Sequence, residues 1–460
     1  MAATLCGCTT VGPDYAGAPA VAADAVRAPR LARDASPGMP VAPASASWWR
    51  TLDDPALDAL VDAALHDSPT LQAAQARLRS ARASLSKQQV DDRPKGSASA
   101  LGLGLWQAPG TDAESTRHLY SVGFDATWEL DLFGGTRRAT EAASAQAQAV
   151  QADLADAQVS LAAEVAQAYV GLREQQQRLA SLRATAGLDA QVLALATQRR
   201  ERGVAAADEV EQRVQQGEAT QASIADVTAQ VAVSLDQLAL LTGQPSGALD
   251  ARLAATSALP AAPRDVAIGD ATALLQRRPD IRAAERRLAQ RNAQIGQQKA
   301  AYFPKLSLLG NVGFAGTDLG SLVSSKGLAL VGVPYLSWNV LDFGRTAASV
   351  RQAEADRDEA EASYRAAVLG ALQDANASLA RFGQQRQVLQ RLVAQQASIG
   401  RALDLTRQRR AAGVASQLDL LDAQRNDAEA RRKALDGEAA LLKDFVALHK
   451  SLGLGWQPPA

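Results

Sequence analysis

An ungapped offset of 210 residues relates the two halves of this chain. Rare residues carry it: Pro69 and Pro279, Pro94 and Pro304, Trp128 and Trp338, Phe133 and Phe343. Gly134 and Gly344, Gly203 and Gly413, and Gly243 and Gly453 continue it. With six tryptophans and eighteen prolines in 460 residues, such agreement does not arise by chance. The period is far longer than that of solenoid repeats, so a domain-sized unit has been duplicated. The reading places an N-terminal segment at 9–56, one unit at 57–243, a linker at 244–266 and a second unit at 267–453. A tail follows at 454–460, and Pro245, Pro260 and Pro263 mark the linker as a connection.

Each unit opens with a helix. Ser68-Pro69-Thr70 sets a capping serine before a first-turn proline, and Arg278-Pro279-Asp280 sets an acid at the positive helix end. Pro94 and Pro304 stop these helices. Two strand candidates follow, at about 95–133 in the first unit and about 305–343 in the second. Val122, Phe124, Ala126, Trp128, Leu130 and Leu132 recur every second residue, the pattern of a strand with one apolar face. In the preceding strand the leucines stand at odd positions (Leu101, Leu103, Leu105). Its counterpart uses even ones (Leu306, Leu308), so the apolar face of the first strand is left open.

No proline interrupts Thr136–Gln244 or Arg345–Gln457. Leu161, Val165, Ala168 and Leu172 recur at three- and four-residue spacing, and Phe382, Leu389, Leu392, Ile399 and Leu403 lie on the equivalent line of the second unit, the signature of coiled-coil-like packing. The pattern breaks at Gly203-Val204 and Gly413-Val414, which makes each run a helical hairpin with a glycine near its tip. The hairpins span about 136–243 and about 345–453. The arm from Thr136 to Arg202 is 67 residues, about 100 Å long, more than one globular core requires.

Hydrophobic residues make up 47% of the chain but aromatics only 4%, because alanine supplies much of the count, as suits close-packed helices. A formal net charge of −1 gives no reason to expect nucleic acid or a strongly charged partner. No unbroken run of 18 apolar residues occurs, which argues against a transmembrane helix and leaves a closed barrel or a lipid anchor as routes to a membrane. Four strands cannot close a barrel wide enough to pass a solute, so strands in lipid require a barrel shared among copies.

Both cysteines lie in Leu5-Cys6-Gly7-Cys8, which reads as a bacterial lipobox. Residues 1–8 are then the remnant of a signal peptide. Cys6 leaves with it, and Cys8 becomes the acylated first residue. A stray Cys-x-Cys at a terminus is the plain alternative.

Several stretches resemble the TolC-like outer membrane efflux proteins, in their OprM/NodT-type lipoprotein branch. They are Cys8-Thr-Thr-Val-Gly-Pro-Asp-Tyr15, WWRTLDDPALDALVDAAL from Trp48, RRPDIRAAERRLAQRNAQIGQQKAAYFPKLSLLG from Arg277 and GVASQLDLLDAQR from Gly413. The similarity covers essentially the whole chain and is most specific at Arg277–Gly310. It implies a mainly α fold with a small β part. Three copies would share a 12-stranded outer membrane β-barrel continued by a periplasmic α-helical barrel.

The function implied is the exit duct of a tripartite efflux system that passes small molecules such as drugs. A periplasmic adaptor and an inner membrane pump of the RND type would meet the tips at Gly203, Val204, Gly413 and Val414. The resemblance places the periplasmic gate at Leu418, Asp422 and Arg425. Three copies of Asp422 near a narrow axis would repel one another and attract cations, Leu418 would form an apolar constriction, and Arg425 would tether neighbouring helices. The plain alternative is an exposed i, i+3 ion pair. The equivalent first-unit positions, Asp208, Gln212 and Gln215, differ, so the second hairpin is expected to carry the gate. The resemblance implies no cofactor or metal beyond lipid on Cys8, and a lipid-anchored chain in the outer membrane of a Gram-negative bacterium.

Two other classes compete. A protein-secretion channel would share the architecture; a lipid-anchored periplasmic adaptor would ordinarily have one hairpin and compact β-domains. An enzyme finds no support. Asp342-Phe343-Gly344 matches a kinase triplet by letter, but no phosphate loop, catalytic loop, HExxH or serine triad accompanies it. Asp53-Asp54 and Asp91-Asp92 read as solvated loop charge.

Overall fold

The computed structural model describes residues 10–24, 31–32, 45–105, 117–263, 277–323 and 328–456. After a 3-10 turn at Trp48–Leu52 come helices α1 (Pro55–Asp67) and α2 (Pro69–Gln89), then strands β1 (Lys95–Leu105) and β2 (Arg117–Leu130). A hairpin of α3 (Gly135–Glu201) and α4 (Ala207–Leu241) follows, then the short α5 (Asp250–Leu253). The second repeat gives α6 (Pro279–Ala300), β3 (Lys305–Gly316), β4 (Leu328–Ser337), and a second hairpin of α7 (Arg345–Ala411) and α8 (Gln417–Ser451). Trp338 and Val340 fall beyond β4, and Leu132 beyond β2, so the alternating runs overshoot the strands by a few residues. Cys8 lies outside the described residues.

The chain divides into two compact units, each drawing on both repeats. One comprises residues 1–19, 77–151 and 283–366. Its centre is an antiparallel sheet in the order β1-β2-β3-β4. The register pairs Phe124 with Val312, Trp128 with Leu308, and Leu330 with Val312 across the next seam. Directly opposed residues share a face, so one face carries Phe124, Trp128, Leu308, Val312 and Leu330. It is apolar, and all of these but the half-buried Trp128 are exposed in the single chain. The other face is polar around Asp125, whose Oδ1 accepts from Asn311 Nδ2 at 2.6 Å, and around a Lys305–Glu129 ion pair at 3.1 Å.

Leu101 pairs with Ser121 and Leu103 with Leu119, so the β1 leucines lie on the Asp125 face, opposite to those of β3. The two first strands do differ.

The same unit holds an N-terminal strap. Arg138, 4% exposed, donates to the carbonyls of Val11 and Gly12 and pairs with Asp14 at 2.7 Å and Glu141 at 2.8 Å. Asn292 Nδ2 donates to the Pro13 carbonyl, and Tyr15 OH to Glu285. A Cβ on Gly12 (φ +91°) would lie 2.3 Å from the Gly296 Cα, so strap and α6 meet backbone to backbone. Ala348 stands where Arg138 would repeat.

The other unit comprises residues 20–76, 152–282 and 367–460. Its core gathers Trp48, Tyr169, Phe382 and Phe445 with leucines of α1 and α3. Asp54 caps α1, accepting from the amides of Ala56 (2.9 Å) and Leu57 (3.2 Å) and from Tyr169 OH (2.7 Å). It is thus a cap rather than free loop charge. Burial pushes the Tyr169 phenol up to about 12. Arg173 and Gln176 donate to the carbonyls of Leu253 and Ala255, fastening the start of the linker. Gly243 and Gly453 share a left-handed φ of 71°. A Cβ would meet the Asp67 carbonyl oxygen at 2.6 Å in one repeat and Arg278 at 2.8 Å in the other. This close approach beside Pro69 and Pro279 is why these residues keep the offset.

By length and composition α4 is apolar enough to cross a bilayer, which corrects the expectation drawn from unbroken apolar runs. Its alanines and valines raise the average without forming a run. Its buried residues, Val210, Val227 and Leu238 among them, lie at coiled-coil spacing.

Candidate functional site

The two hairpin tips share one turn. After α3, Gly203 (φ 74°) sends its N–H to the Arg200 carbonyl at 2.8 Å, and Val204 to Arg199 at 2.9 Å. After α7, Gly413 (φ 76°) and Val414 bond Arg410 at 3.0 Å and Arg409 at 2.8 Å in the same pattern. Left-handed backbone at this position is where glycine is required to close a helix. The turn leaves Val204 and Val414 exposed at 65% and 68%, one apolar side chain at the extreme of each hairpin.

The return helices start differently. Ser416 and Asp419 form a reciprocal capping box on α8: Asp419 N–H donates to Ser416 Oγ (3.1 Å), and Ser416 N–H to Asp419 Oδ2 (2.7 Å). The Ser416 backbone donor holds the Asp419 carboxyl below the usual range. Ala206, at the same place in the first repeat, supplies no side-chain cap. There Glu209 instead pairs with Arg199 at 2.9 Å across the turn.

Leu418, Asp422 and Arg425 project from the first turns of α8 at spacings of four and three, on one face. All three are half-buried. Asp422 faces Arg213 of α4 at 4.0 Å. Arg425 Nε lies 2.9 Å from Asp189 Oδ1 of α3, close as an ion pair but not aligned as a hydrogen bond. Asp189 is buried at 5% exposure, and its other oxygen accepts from Thr220 Oγ1 at 2.7 Å. The plain i, i+3 reading is not what the geometry gives, since Asp422 and Arg425 each pair with a different helix.

Asp189, Arg213 and Thr220 were not singled out by sequence. Asp189 has a signal in retrospect: it continues the heptad of Gln175, Leu182 and Ala196, a charge placed in a seam. Its repeat counterpart is Ile399, so the internal duplication conceals it. Beside this cluster a groove of about 410 Å³ is lined by Arg178, Thr185, Gln216, Arg425 and Arg432. Among the described residues no group of three His, Cys, Asp or Glu is placed to hold a metal. Asp342 caps α7, accepting from the amides of Gly344 and Thr346 at 2.9 Å, and Asp131 does the same for Arg137 at 2.8 Å, one position earlier in its repeat. The kinase-like triplet is a strand-to-helix turn.

A duplicated helical hairpin carrying strand pairs with exposed apolar side chains is the architecture of a class of outer membrane channels. Residues 60–244 and 271–454 match the Outer membrane efflux protein family, and the chain belongs to it. It is 32% identical over 420 residues to outer membrane protein OprJ of Pseudomonas aeruginosa, covering 89% of this chain and 86% of that one. It is 29% identical over 422 residues to nodulation protein T of Rhizobium leguminosarum bv. viciae, covering 90% and 86%. Among solved structures it matches the outer-membrane channel OprN with a TM-score of 0.89 at 36% identity, over 97% of this chain and all of that one. The Neisseria gonorrhoeae MtrE channel in its open state matches with a TM-score of 0.79 at 27% identity, over 97% and 98%. The chain is therefore an outer membrane efflux channel, the exit duct of an export system. Its family is one of channels, not enzymes.

Proposed function

We propose that three copies of this chain form one gated duct for small molecules such as drugs. The adaptor and an RND-type pump deliver cargo to the end marked by Val204 and Val414, and lipid on Cys8 adds to the hold of the barrel in the outer membrane. Supporting the trimer, the outer edges of β1 and β4 have no strand partner among the described residues, and hydrocarbon does not tolerate open edges. Among relatives, one is named a toluene efflux pump outer membrane protein of Pseudomonas putida, at 31% identity, which favours small apolar or drug-like cargo over protein.

The observation that carries the gate is the link from α8 back to the first hairpin. Leu418 narrows the end of the duct, and three Asp422 carboxylates concentrate negative charge there, favouring cations. Arg425 holds α8 against α3 through Asp189. Opening requires α8 to move, and that separates Arg425 from a carboxylate buried at 5% exposure. A buried carboxylate deprived of its cation is costly, so the closed arrangement is favoured until a partner compensates.

The test is single-channel recording in planar bilayers. Asp422→Ala is expected to lower cation preference and raise conductance several-fold. Unchanged conductance and selectivity would remove Asp422 from the gate.

A further inference from the structure

Resting on the trimer reading, we infer that β4 of one copy pairs antiparallel with β1 of the next in a single register, Tyr335 opposite Leu101 and Val333 opposite Leu103. The internal repeat supplies the register. Paired positions total 222 between β1 and β2 (Leu101 with Ser121) and 642 between β3 and β4 (Leu308 with Pro334). These differ by twice the repeat offset, so the duplication has kept its pairing to the residue. Between β2 and β3 the total is 436 (Phe124 with Val312). Shifting β2 forward by one repeat gives β4, and shifting β3 back by one gives β1, so the same total governs the seam between copies.

Side chains support this choice. Odd and even positions occupy opposite faces throughout the sheet, and a closed barrel must keep them so, which excludes any slip by one residue. Slips by two remain to be decided. At a total of 436 the odd face sets Ser337 against Ser99, Tyr335 against Leu101 and Val333 against Leu103, like with like at each step. Slipping two residues one way sets Ser337 against Leu101; slipping the other way sets Tyr335 against Ser99. On the even face the chosen register opposes Leu336 with Ala100 and Pro334 with Gly102, large against small.

This also accounts for the odd-positioned leucines of β1. Leu101, Leu103, Val333 and Tyr335 are all exposed in the single chain. Leu101 and Leu103 share the face that carries Asp125 and Asn311 at the seam between β2 and β3. The seam within the chain is therefore polar on that face, while the seam between copies is apolar, which favours closure with a second copy of this chain.

Three double variants of the full-length protein decide it: Leu101→Cys with Tyr335→Cys, Leu103→Cys with Tyr335→Cys, and Ser99→Cys with Tyr335→Cys. Each is purified in detergent, oxidised, and run on denaturing non-reducing gels beside a native mass measurement. The first pair is expected to give covalent trimers at least tenfold more abundantly than the others. Leu103→Cys with Val333→Cys, an independent pair in the same register, should agree and guards against a folding defect in one variant. Preferential crosslinking of either slipped pair, or a trimeric mass with none of the pairs linked, overturns the register and leaves the trimer intact. A monomeric mass with no crosslinks overturns the trimer reading itself.

Discussion

The two hairpin ends close with the same glycine turn behind an identical Gln-Arg-Arg, yet most polar positions of the return helices have diverged. In the second hairpin Ser416 caps the return helix, where the first has Ala206. Arg425 reaches a buried acid, where the first has Gln215, and the acid itself, Asp189, has Ile399 as its counterpart. Deep in α8 His449 is packed against Trp48 and Phe445, where α4 has Ala239. Turn geometry has been retained where the backbone demands it. Charge has been redistributed so that Arg425 of the second hairpin meets Asp189 of the first, and Asp422 of the second meets Arg213 of the first. The pair of Arg425 with Asp189 exists once, because their repeat counterparts are Gln215 and Ile399. Divergence after duplication is what makes a lock between them possible.

The comparison is broken most severely at Arg425. Arg425→Ala strands Asp189 with only the Thr220 hydroxyl, and is expected to cost about 3 kcal/mol, the low end for a buried pair because the guanidinium keeps some solvent. Gln215→Ala, the equivalent change in the first hairpin, should cost under about 0.5 kcal/mol. Denaturant midpoints in detergent measure both, and hydrogen exchange across Gln417–Arg425 should accelerate only in the first variant.

His449 gives the next effect. Burial lowers its pKa to about 4, from 6.5. Its neutral form is therefore preferred in the folded chain. That contribution is complete above about pH 6.5, falls as pH drops, and levels off near pH 4, with about 2 kcal/mol lost by pH 5. His449→Phe should flatten the change in midpoint between pH 7.5 and pH 5. An equally steep decline in that variant would assign the sensitivity to other groups.

Smallest is the cap. Ser416→Ala is expected to cost about 1 kcal/mol and Ala206→Ser to return a few tenths, since Glu209, at the reciprocal position of the first hairpin, is already paired with Arg199. Equal effects in the two hairpins would show that the caps have not diverged in strength.

Much of this was legible in the order of residues. Prolines and glycines at fixed offset mark positions where backbone geometry admits few substitutes, so the duplication, the hairpins and the strand pairs could be read directly. The tips were legible for the same reason. Asp54 was not: an acid before a proline reads as loop charge until a helix start and Tyr169 converge on it. Asp189 was hidden because its importance lies in what another hairpin brings to it, more than two hundred residues later.

Periodicity and the repeat by themselves determined that the chain is two copies of a strand pair and a long hairpin, because helical and strand spacing are local properties of the backbone. They did not determine which face of β1 its leucines occupy, since alternation is the same in either phase. Only pairing with β2 decided that Leu101 and Leu103 lie with Asp125. Nor could spacing decide that Arg425 pairs with Asp189 and Asp422 with Arg213, because ion pairs between helices depend on which faces pack together. That is a property of three-dimensional packing, absent from any single stretch of sequence.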